Sequence, residues 1–341
     1  MIFSFLLLLL VWLLPDEGNM VCGQRAQSQL LKFVASLIVV VGHQACFYCS
    51  HNDTFVRETG LGAFCVSFFL FMSGYGLLYS LVVKRQRLSV AWLGKRMAKL
   101  VVPALTTMAL YVVAEMAVGR DVDWKNLFAY WFVSDKNLRY GWFVSEIIVL
   151  YVAFYAFYRC FSSKRATLLL CIAIGVAAVV MVAVKCAVWY ILGLPCFVLG
   201  LLLAMCDVED RRWRVSLSGW QVRVLMNAAV VLWLLLKDFD LVQQAVPVLD
   251  KWRYALAAKF ASNIVFVCVV AYILMRLPVC KAMVNRGGYF YEVYLVQGAT
   301  LLVCREWIDD DGLFVVLGLL ATVVVAKGMS MANGWIVRHI P

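Results

Sequence analysis

Charged residues are scarce in this chain, and long polar stretches are missing. Only 15% of its 341 residues are Asp, Glu, Lys or Arg and 65% are hydrophobic, whereas a soluble protein carries about 25% charged residues. The alternating apolar and polar pattern of membrane β-strands is also missing. These absences exclude a soluble enzyme. They predict an all-α polytopic membrane protein, because backbone groups in lipid must be hydrogen-bonded within their own helix.

The apolar runs predict about ten transmembrane helices, since each crossing needs about 20 apolar residues. The approximate spans are 31–49, 60–83, 100–119, 141–161, 166–184, 187–206, 222–242, 254–275, 288–304 and 312–331. Because no polar domain separates these spans, we treat residues 25–341 as a single transmembrane domain.

Residues 1–24 are treated as a separate N-terminal segment that opens with MIFSFLLLLLVWLL. A fourteen-residue helix reaches only about 21 Å, short of a ~30 Å hydrocarbon core. Three interpretations stay open: an extra short interfacial or membrane helix, a signal-like segment that lacks a basic n-region, or a false start upstream of Met20. We expect residues 1–19 to be dispensable for activity.

Positive charge exceeds negative charge, with 31 Lys and Arg against 20 Asp and Glu. The resulting net charge of +11 does not indicate a nucleic-acid partner, because the basic residues cluster in short loops between spans, as the positive-inside rule describes. The partner is the lipid bilayer. The charge pattern predicts an inner (plasma) membrane protein whose ten-helix unit has both ends in the cytoplasm.

Histidine is rare: the chain has only 3, namely His43, His51 and His339. His43 lies inside the first predicted span, where an imidazole is costly and usually functional. Lys32 precedes it by eleven residues, which is close to three full helical turns, so both share one helix face about 16 Å apart along the axis. A cation at the membrane boundary and a base deep within the membrane suit a long anionic ligand.

The second predicted span carries FFLFMSGYG, Phe68–Gly76. By helical rise Ser73 lies about 15 Å and His43 about 18 Å from the same membrane side, so the two are predicted to meet near the bilayer middle. Gly74 and Gly76 would let a ligand or another backbone approach closely. Simple helix packing is the alternative interpretation of these glycines.

Three carboxylates, Glu115, Glu146 and Glu292, lie within predicted spans. A buried carboxylate needs a partner or a proton. Glu146 is placed toward the outer side, where it could orient His43 or activate an acceptor hydroxyl, and Glu292 is placed nearer the inner side. An ion pair with a cation from another span is the structural alternative for both.

The segment Lys84–Pro103 carries six cations and is predicted to be a cytoplasmic loop. It either sets the topology and contacts anionic lipid or docks a phosphorylated cofactor, with Arg96 and Lys99 at the mouth of the third span. No metal is expected. The cysteines behave as small hydrophobes in spans, and no second Cys/His pair follows Cys46 and Cys49 at ligand spacing.

Several of these segments, taken in order, resemble the acyltransferase-3 family of integral-membrane enzymes that modify cell-surface carbohydrates. The resemblance covers about residues 25–335 and rests on the K-x10-H of Lys32 and His43, FFLFMSGYG, KRMAKLVVP, GWFVSEIIVLY and GGYFYEVYLVQ. It implies a ten-helix domain that takes an acyl group, usually acetyl, from cytoplasmic acyl-coenzyme A and delivers it to a carbohydrate hydroxyl, without a metal.

The resemblance also implies roles for individual residues. It places the family histidine on His43 and its basic partner on Lys32. The family's basic cluster falls on Arg96 and Lys99. We therefore assign His43, Ser73 and Glu146 to catalysis and Lys32, Arg96, Lys99 and Tyr75 to binding of the acyl-coenzyme A.

One departure from the family pattern lies in the ninth span. Many members have serine and histidine in S-Y-x-x-Y-L-x-H, where this chain has Phe290 and Gln297. Any role of that second histidine is therefore absent here.

The chemistry expected of His43 is general-base catalysis on the acceptor hydroxyl or transient acylation of the imidazole itself, and the sequence leaves both open. The alternative function is a polysaccharide or small-molecule transporter or flippase, which intramembrane charges and paired glycines also fit. An intramembrane protease that uses Ser73 and His43 is a further alternative. Binding of coenzyme A separates the first hypothesis from the others.

Overall fold

The computed structural model describes residues 2–14, 25–49, 61–122, 124, 141–208, 219–237, 251–276 and 288–339. Every regular element in these ranges is a helix, and no strand occurs in them. The helices are α1 (Ile2–Leu13), α2 (Arg25–Phe47), α3 (Gly62–Val82), α4 (Val90–Ala117), α5 (Trp142–Cys160), α6 (Ser163–Ala183), α7 (Trp189–Leu192), α8 (Leu194–Val208), α9 (Gly219–Lys237), α10 (Lys251–Arg276), α11 (Phe290–Trp307) and α12 (Asp311–His339).

The prediction of an all-α polytopic membrane protein is confirmed. A helix is found at each of the ten predicted spans, and the span at 187–206 is divided at Gly193 into α7 and α8. By length and composition, 9 helical segments of the described chain can cross a membrane. The segment not counted among them is α11, whose 18 residues include Glu292, Arg305 and Glu306.

The start of α4 corrects one prediction. The segment Lys84–Pro103 was expected to be a loop, but it is helical from Val90 onward. The reason is local: the Ser89 side chain accepts a hydrogen bond from the Trp92 N–H at 3.1 Å and caps the helix. The cations that follow lower the hydropathy without opposing helix formation. Arg96 and Lys99 therefore project from a helix, not from a loop.

The chain divides into two compact units. Unit 1 comprises Met1–Leu31, Ala63–Gln86 and Cys171–Arg286, and unit 2 comprises Lys32–Gly62, Arg87–Leu170 and Gly287–Pro341. Unit 1 therefore contains α1, α3 and α7 to α10. Unit 2 contains most of α2 together with α4, α5, α11 and α12.

The core of unit 1 depends on a close crossing between α3 and α8. A Cβ added to Gly74 would collide with the backbone carbonyl of Phe197, and one added to Gly200 would collide with that of Phe71. Two glycines thus allow the two backbones to touch, a common arrangement of helices in membranes. The packing interpretation is therefore confirmed for Gly74, whereas a Cβ on Gly76 meets nothing within 4 Å among the described residues.

The N-terminal helix α1 packs on α9 in unit 1. Leu7, Val11 and Leu14 are buried on one face. Arg223 of α9 donates a hydrogen bond to the Leu14 carbonyl at 3.2 Å, and its guanidinium lies 5.8 Å from the centroid of the Trp12 ring. A basic side chain therefore satisfies a carbonyl at the C-terminal end of α1, which helix geometry leaves without an internal partner.

Helix α11 is the central helix of unit 2, and its segment from Glu292 to Leu302 is buried. Four neighbours contact it through specific side chains. The Tyr291 hydroxyl donates to the Leu100 carbonyl of α4 at 3.1 Å. The ring of Tyr294 packs edge-on against Phe143 of α5. Helices α12 and α2 contact the remaining faces, at Thr300 and Gln297 respectively.

Candidate functional site

Helix α2 contacts α11 at two levels within unit 2. At the first level, Lys32 Nζ lies 4.9 Å from the centroid of the Phe290 ring. At the second level, His43 Nδ1 lies 2.9 Å from Gln297 Oε1. Both predicted residues therefore face α11. This agrees with the shared helix face that their eleven-residue spacing predicts. The two helices run in the same direction, because the later residue of α2 contacts the later residue of α11.

The amide of Gln297 holds a second hydrogen bond. Its Nε2 donates to the backbone carbonyl of Tyr294 at 2.7 Å, and the whole side chain has 0% exposure. Gln297 is thus fixed at both ends of its amide group. The sequence interpretation treated this position only as a missing histidine, so the contact with His43 was not predicted.

No carboxylate within the described residues forms an ion pair with Lys32. The lysine lies over an aromatic ring, an arrangement that stabilises a cation without neutralising its charge. A cation held in this way keeps its capacity to bind an anionic group. Lys32 can therefore bind an anionic group about 16 Å along α2 from His43.

Arg96 of α4 lies at the same end of unit 2 as Lys32. Its guanidinium lies 4.5 Å from the centroid of the Trp92 ring and forms a hydrogen bond with Tyr151 of α5. These contacts hold a planar, bidentate donor in place, as phosphate recognition requires. Lys99, three residues further along α4, is exposed.

Lys327 of α12 is a further cation at this end that the sequence interpretation did not assign to the site. Its Nζ lies 5.1 Å from the centroid of the Tyr289 ring, and the same ring packs edge-on against Phe33. Tyr289 and Phe290 are consecutive, so Lys32 and Lys327 flank the start of α11 on adjacent rings. The signal in the sequence is the aromatic pair Tyr289 and Phe290 at the start of α11, together with a cation on the next helix.

Glu146 of α5 is buried, with 8% exposure, and neither carboxylate oxygen has a hydrogen-bond partner among the described residues. Among the described residues Glu146 therefore makes no hydrogen bond to His43, whose Nδ1 contacts Gln297 instead. The physical reason is depth. Phe143 of α5 packs against Tyr294, which lies one turn before Gln297 on α11. Glu146 lies one turn after Phe143 on α5, and this turn leads away from the level of Gln297. By helical rise Glu146 is about 9 Å from the level of Gln297. The catalytic role of Glu146 stays a prediction.

A family model described as an acyltransferase domain matches residues 25–330. The chain belongs to the acyltransferase-3 family. It is therefore a membrane acyltransferase, and the matched range contains Lys32, His43, Arg96 and Gln297. Searches among curated proteins and among solved structures gave no match.

Two of the predicted site residues of this acyltransferase-3 protein, Ser73 and Tyr75, lie in unit 1 on α3. Tyr75 is buried and its ring stacks on Tyr79 at 5.6 Å between centroids. Ser73 is half-buried. The predicted meeting of Ser73 with His43 stays a prediction. His51 lies outside the described residues.

Polar side chains beyond His43 join α2, α11 and α12 of this acyltransferase-3 protein. Gln44 Nε2 donates to the carbonyls of Phe314 and Val315 at 3.2 Å each. The Thr300 and Thr322 hydroxyls lie 2.7 Å apart, so one donates to the other. These contacts hold the helices together near the His43–Gln297 pair, and no sequence pattern predicts them.

Proposed function

We propose that this protein moves an acyl group, acetyl in the simplest case, from cytoplasmic acyl-coenzyme A to a hydroxyl of a surface or lipid-linked carbohydrate. The observation that carries the proposal is the pair of contacts between α2 and α11. Lys32 lies without an acidic partner among the described residues at one level, and His43 is held by a hydrogen bond at the other. A ligand that is anionic at one end and reactive at the other fits this arrangement.

Acyl-coenzyme A has this polarity, because its phosphates and its thioester lie at opposite ends of a long uncharged arm. We assign the phosphates to Lys32 and Arg96, which supply charge-assisted hydrogen bonds. The arm would extend along α2 over the ~16 Å of helix that separates Lys32 from His43. Together with the positive-inside distribution of Lys and Arg, this supports a protein of the inner membrane that receives its donor from the cytoplasm.

His43 would act as the general base of the transfer. The acceptor hydroxyl passes its proton to the imidazole as its oxygen bonds to the thioester carbonyl carbon. The carbon–sulfur bond then breaks, and the proton passes from the imidazole to the leaving thiolate. Attack of His43 itself on the thioester would give an acyl-imidazole intermediate instead, and both routes use the same imidazole.

Glu146 remains a proposed contributor to the transfer. A buried carboxylate without a partner among the described residues is costly, and a hydroxyl of a bound substrate can donate a hydrogen bond to it. The carbohydrate class of the acceptor is proposed from the sequence resemblance to acyltransferase-3 enzymes that modify cell-surface carbohydrates. The roles of Ser73 in catalysis and of Tyr75 in donor binding are proposed from the sequence pattern alone.

The test uses membrane vesicles from cells that produce the protein, supplied with [14C]acetyl-coenzyme A. Inverted vesicles should incorporate label into the carbohydrate fraction, whereas sealed right-side-out vesicles should not, because coenzyme A does not cross the bilayer. A transporter or flippase would give no labelling that depends on this protein, and that result would contradict the proposal.

A further inference from the structure

The direction of each hydrogen bond around Gln297 can be deduced from chemistry alone. The Tyr294 carbonyl can only accept a hydrogen bond, so the amide group that faces it must be the NH₂. The amide oxygen of Gln297 therefore faces His43 Nδ1. A carbonyl oxygen cannot donate, so the proton in this bond must belong to Nδ1.

We propose that Gln297 is the positioning residue of His43: it holds the imidazole as the Nδ1–H tautomer and leaves the reactive lone pair on Nε2. The proposal rests on the proposed function, since it names the nitrogen that takes the hydroxyl proton or attacks the thioester. Gln297 acts through His43 and does not touch the substrates.

The physical effect is a choice between two otherwise similar tautomers. In a neutral imidazole either nitrogen can carry the proton, and the bond made by one nitrogen decides the state of the other. For histidines that bind a metal, loss of the hydrogen-bond partner that orients the ring typically costs about 10- to 100-fold, and we expect a loss of similar size at His43. A glutamine differs from a carboxylate in one respect, because it selects the tautomer without adding a negative charge beside the imidazole. The protonated imidazole therefore gains no ion pair from Gln297, which favours passing the proton on to the thiolate.

The direct test is nuclear magnetic resonance of the purified full chain labelled with 15N-histidine. The chain has only 3 histidines, and the His43 signals are those that disappear in His43→Ala. The wild-type protein should show a protonated Nδ1 and an unprotonated Nε2. Gln297→Met keeps the side-chain volume but removes the acceptor and should populate both tautomers. Gln297→Glu keeps an acceptor oxygen and should retain Nδ1–H. A wild-type His43 protonated at Nε2 alone would overturn the proposal.

The kinetic test measures acetyl transfer from [14C]acetyl-coenzyme A in inverted vesicles. Gln297→Met should lower turnover about 10- to 100-fold with little change in the apparent KM for acetyl-coenzyme A, and Gln297→Glu should restore much of the loss. Thr322→Val is the matched control, because it removes a buried hydroxyl contact with Thr300, one turn beyond Gln297 on α11, and leaves His43 untouched.

Three results separate the explanations. Wild-type turnover in Gln297→Met would overturn the positioning role. An equal loss in Thr322→Val would do so as well, since it would show that damage to the packing of α11 suffices. A wild-type protein with the Nδ1–H signal but no acetyl transfer would contradict the proposed function and leave the positioning of His43 supported.

Discussion

Lys32 and His43 contact the same helix at two levels, Lys32 over the ring of Phe290 and His43 at the amide of Gln297. The contact points are eleven residues apart on α2, about 16 Å, and seven apart on α11, about 10 Å. The difference is within the reach of the long lysine side chain. The two residues therefore lie along one side of α11, with the positive charge at the start of the helix and the imidazole further along.

The first prediction concerns donor binding by Lys32. Lys32→Met should raise the apparent KM for acetyl-coenzyme A about 10- to 100-fold, because it removes a hydrogen bond between charged groups worth about 1.5–3 kcal/mol. Arg96→Ala should act in the same direction, and Lys32→Arg should be mild. Initial rates in inverted vesicles at varied donor concentration give these constants. Lys259→Met, an exposed lysine of α10, is the control. If only the apparent KM for the carbohydrate acceptor changed, Lys32 and Arg96 would not belong to the donor site.

The second prediction concerns the crossing of α3 and α8. Gly74→Ala should destabilise unit 1, because its Cβ would collide with the Phe197 carbonyl. Overpacking of this kind costs about 1–3 kcal/mol or more. Gly76→Ala, two residues away, is the matched control, because its Cβ would meet nothing within 4 Å among the described residues. The melting temperature in detergent should fall for Gly74→Ala only. Equal melting temperatures of the two variants would contradict a stabilising role for the contact between the α3 and α8 backbones.

The third prediction separates function from stability at Glu146. Both of its carboxylate oxygens lack hydrogen-bond partners among the described residues, so Glu146→Gln should leave the melting temperature unchanged or raise it. Turnover should nevertheless fall, and by more than in Glu292→Gln. Glu292 lies in the first turn of α11, where the helix dipole favours a carboxylate. Wild-type turnover in Glu146→Gln would exclude Glu146 from the site.

The fourth prediction concerns α1. A variant that begins at Met20 should retain acetyl transfer, because the residues around His43 lie in unit 2, but it should melt at a lower temperature. Removing α1 deletes the bond between Arg223 and the Leu14 carbonyl and the contact of Arg223 with Trp12, together worth about 1–3 kcal/mol. Lost activity at unchanged stability would contradict this assignment.

The helices were predictable from hydropathy because lipid imposes helical structure on every apolar span. The shared face of Lys32 and His43 was predictable from helical periodicity for the same reason. Hydropathy placed the start of α4 too late, since Lys95, Arg96 and Lys99 lower the apolar signal although Ser89 caps a helix before them.

The neighbours of each functional side chain were not predictable. Periodicity gives the face of a helix but not the helix that the face meets. Gln297 was therefore interpreted as a lost histidine, although it makes the hydrogen bond to His43. Glu146 was placed near His43 from span boundaries alone, and an error of two turns in such a boundary is enough to separate two side chains.

The most direct test of the central claim compares two histidine variants of the full chain at matched protein level in inverted vesicles. Transfer of label from [14C]acetyl-coenzyme A to carbohydrate should be abolished in His43→Ala. Label transfer should be unchanged in His339→Ala, which replaces an exposed histidine that is hydrogen-bonded to the Trp335 carbonyl. Label transfer at the wild-type rate in His43→Ala would contradict the account.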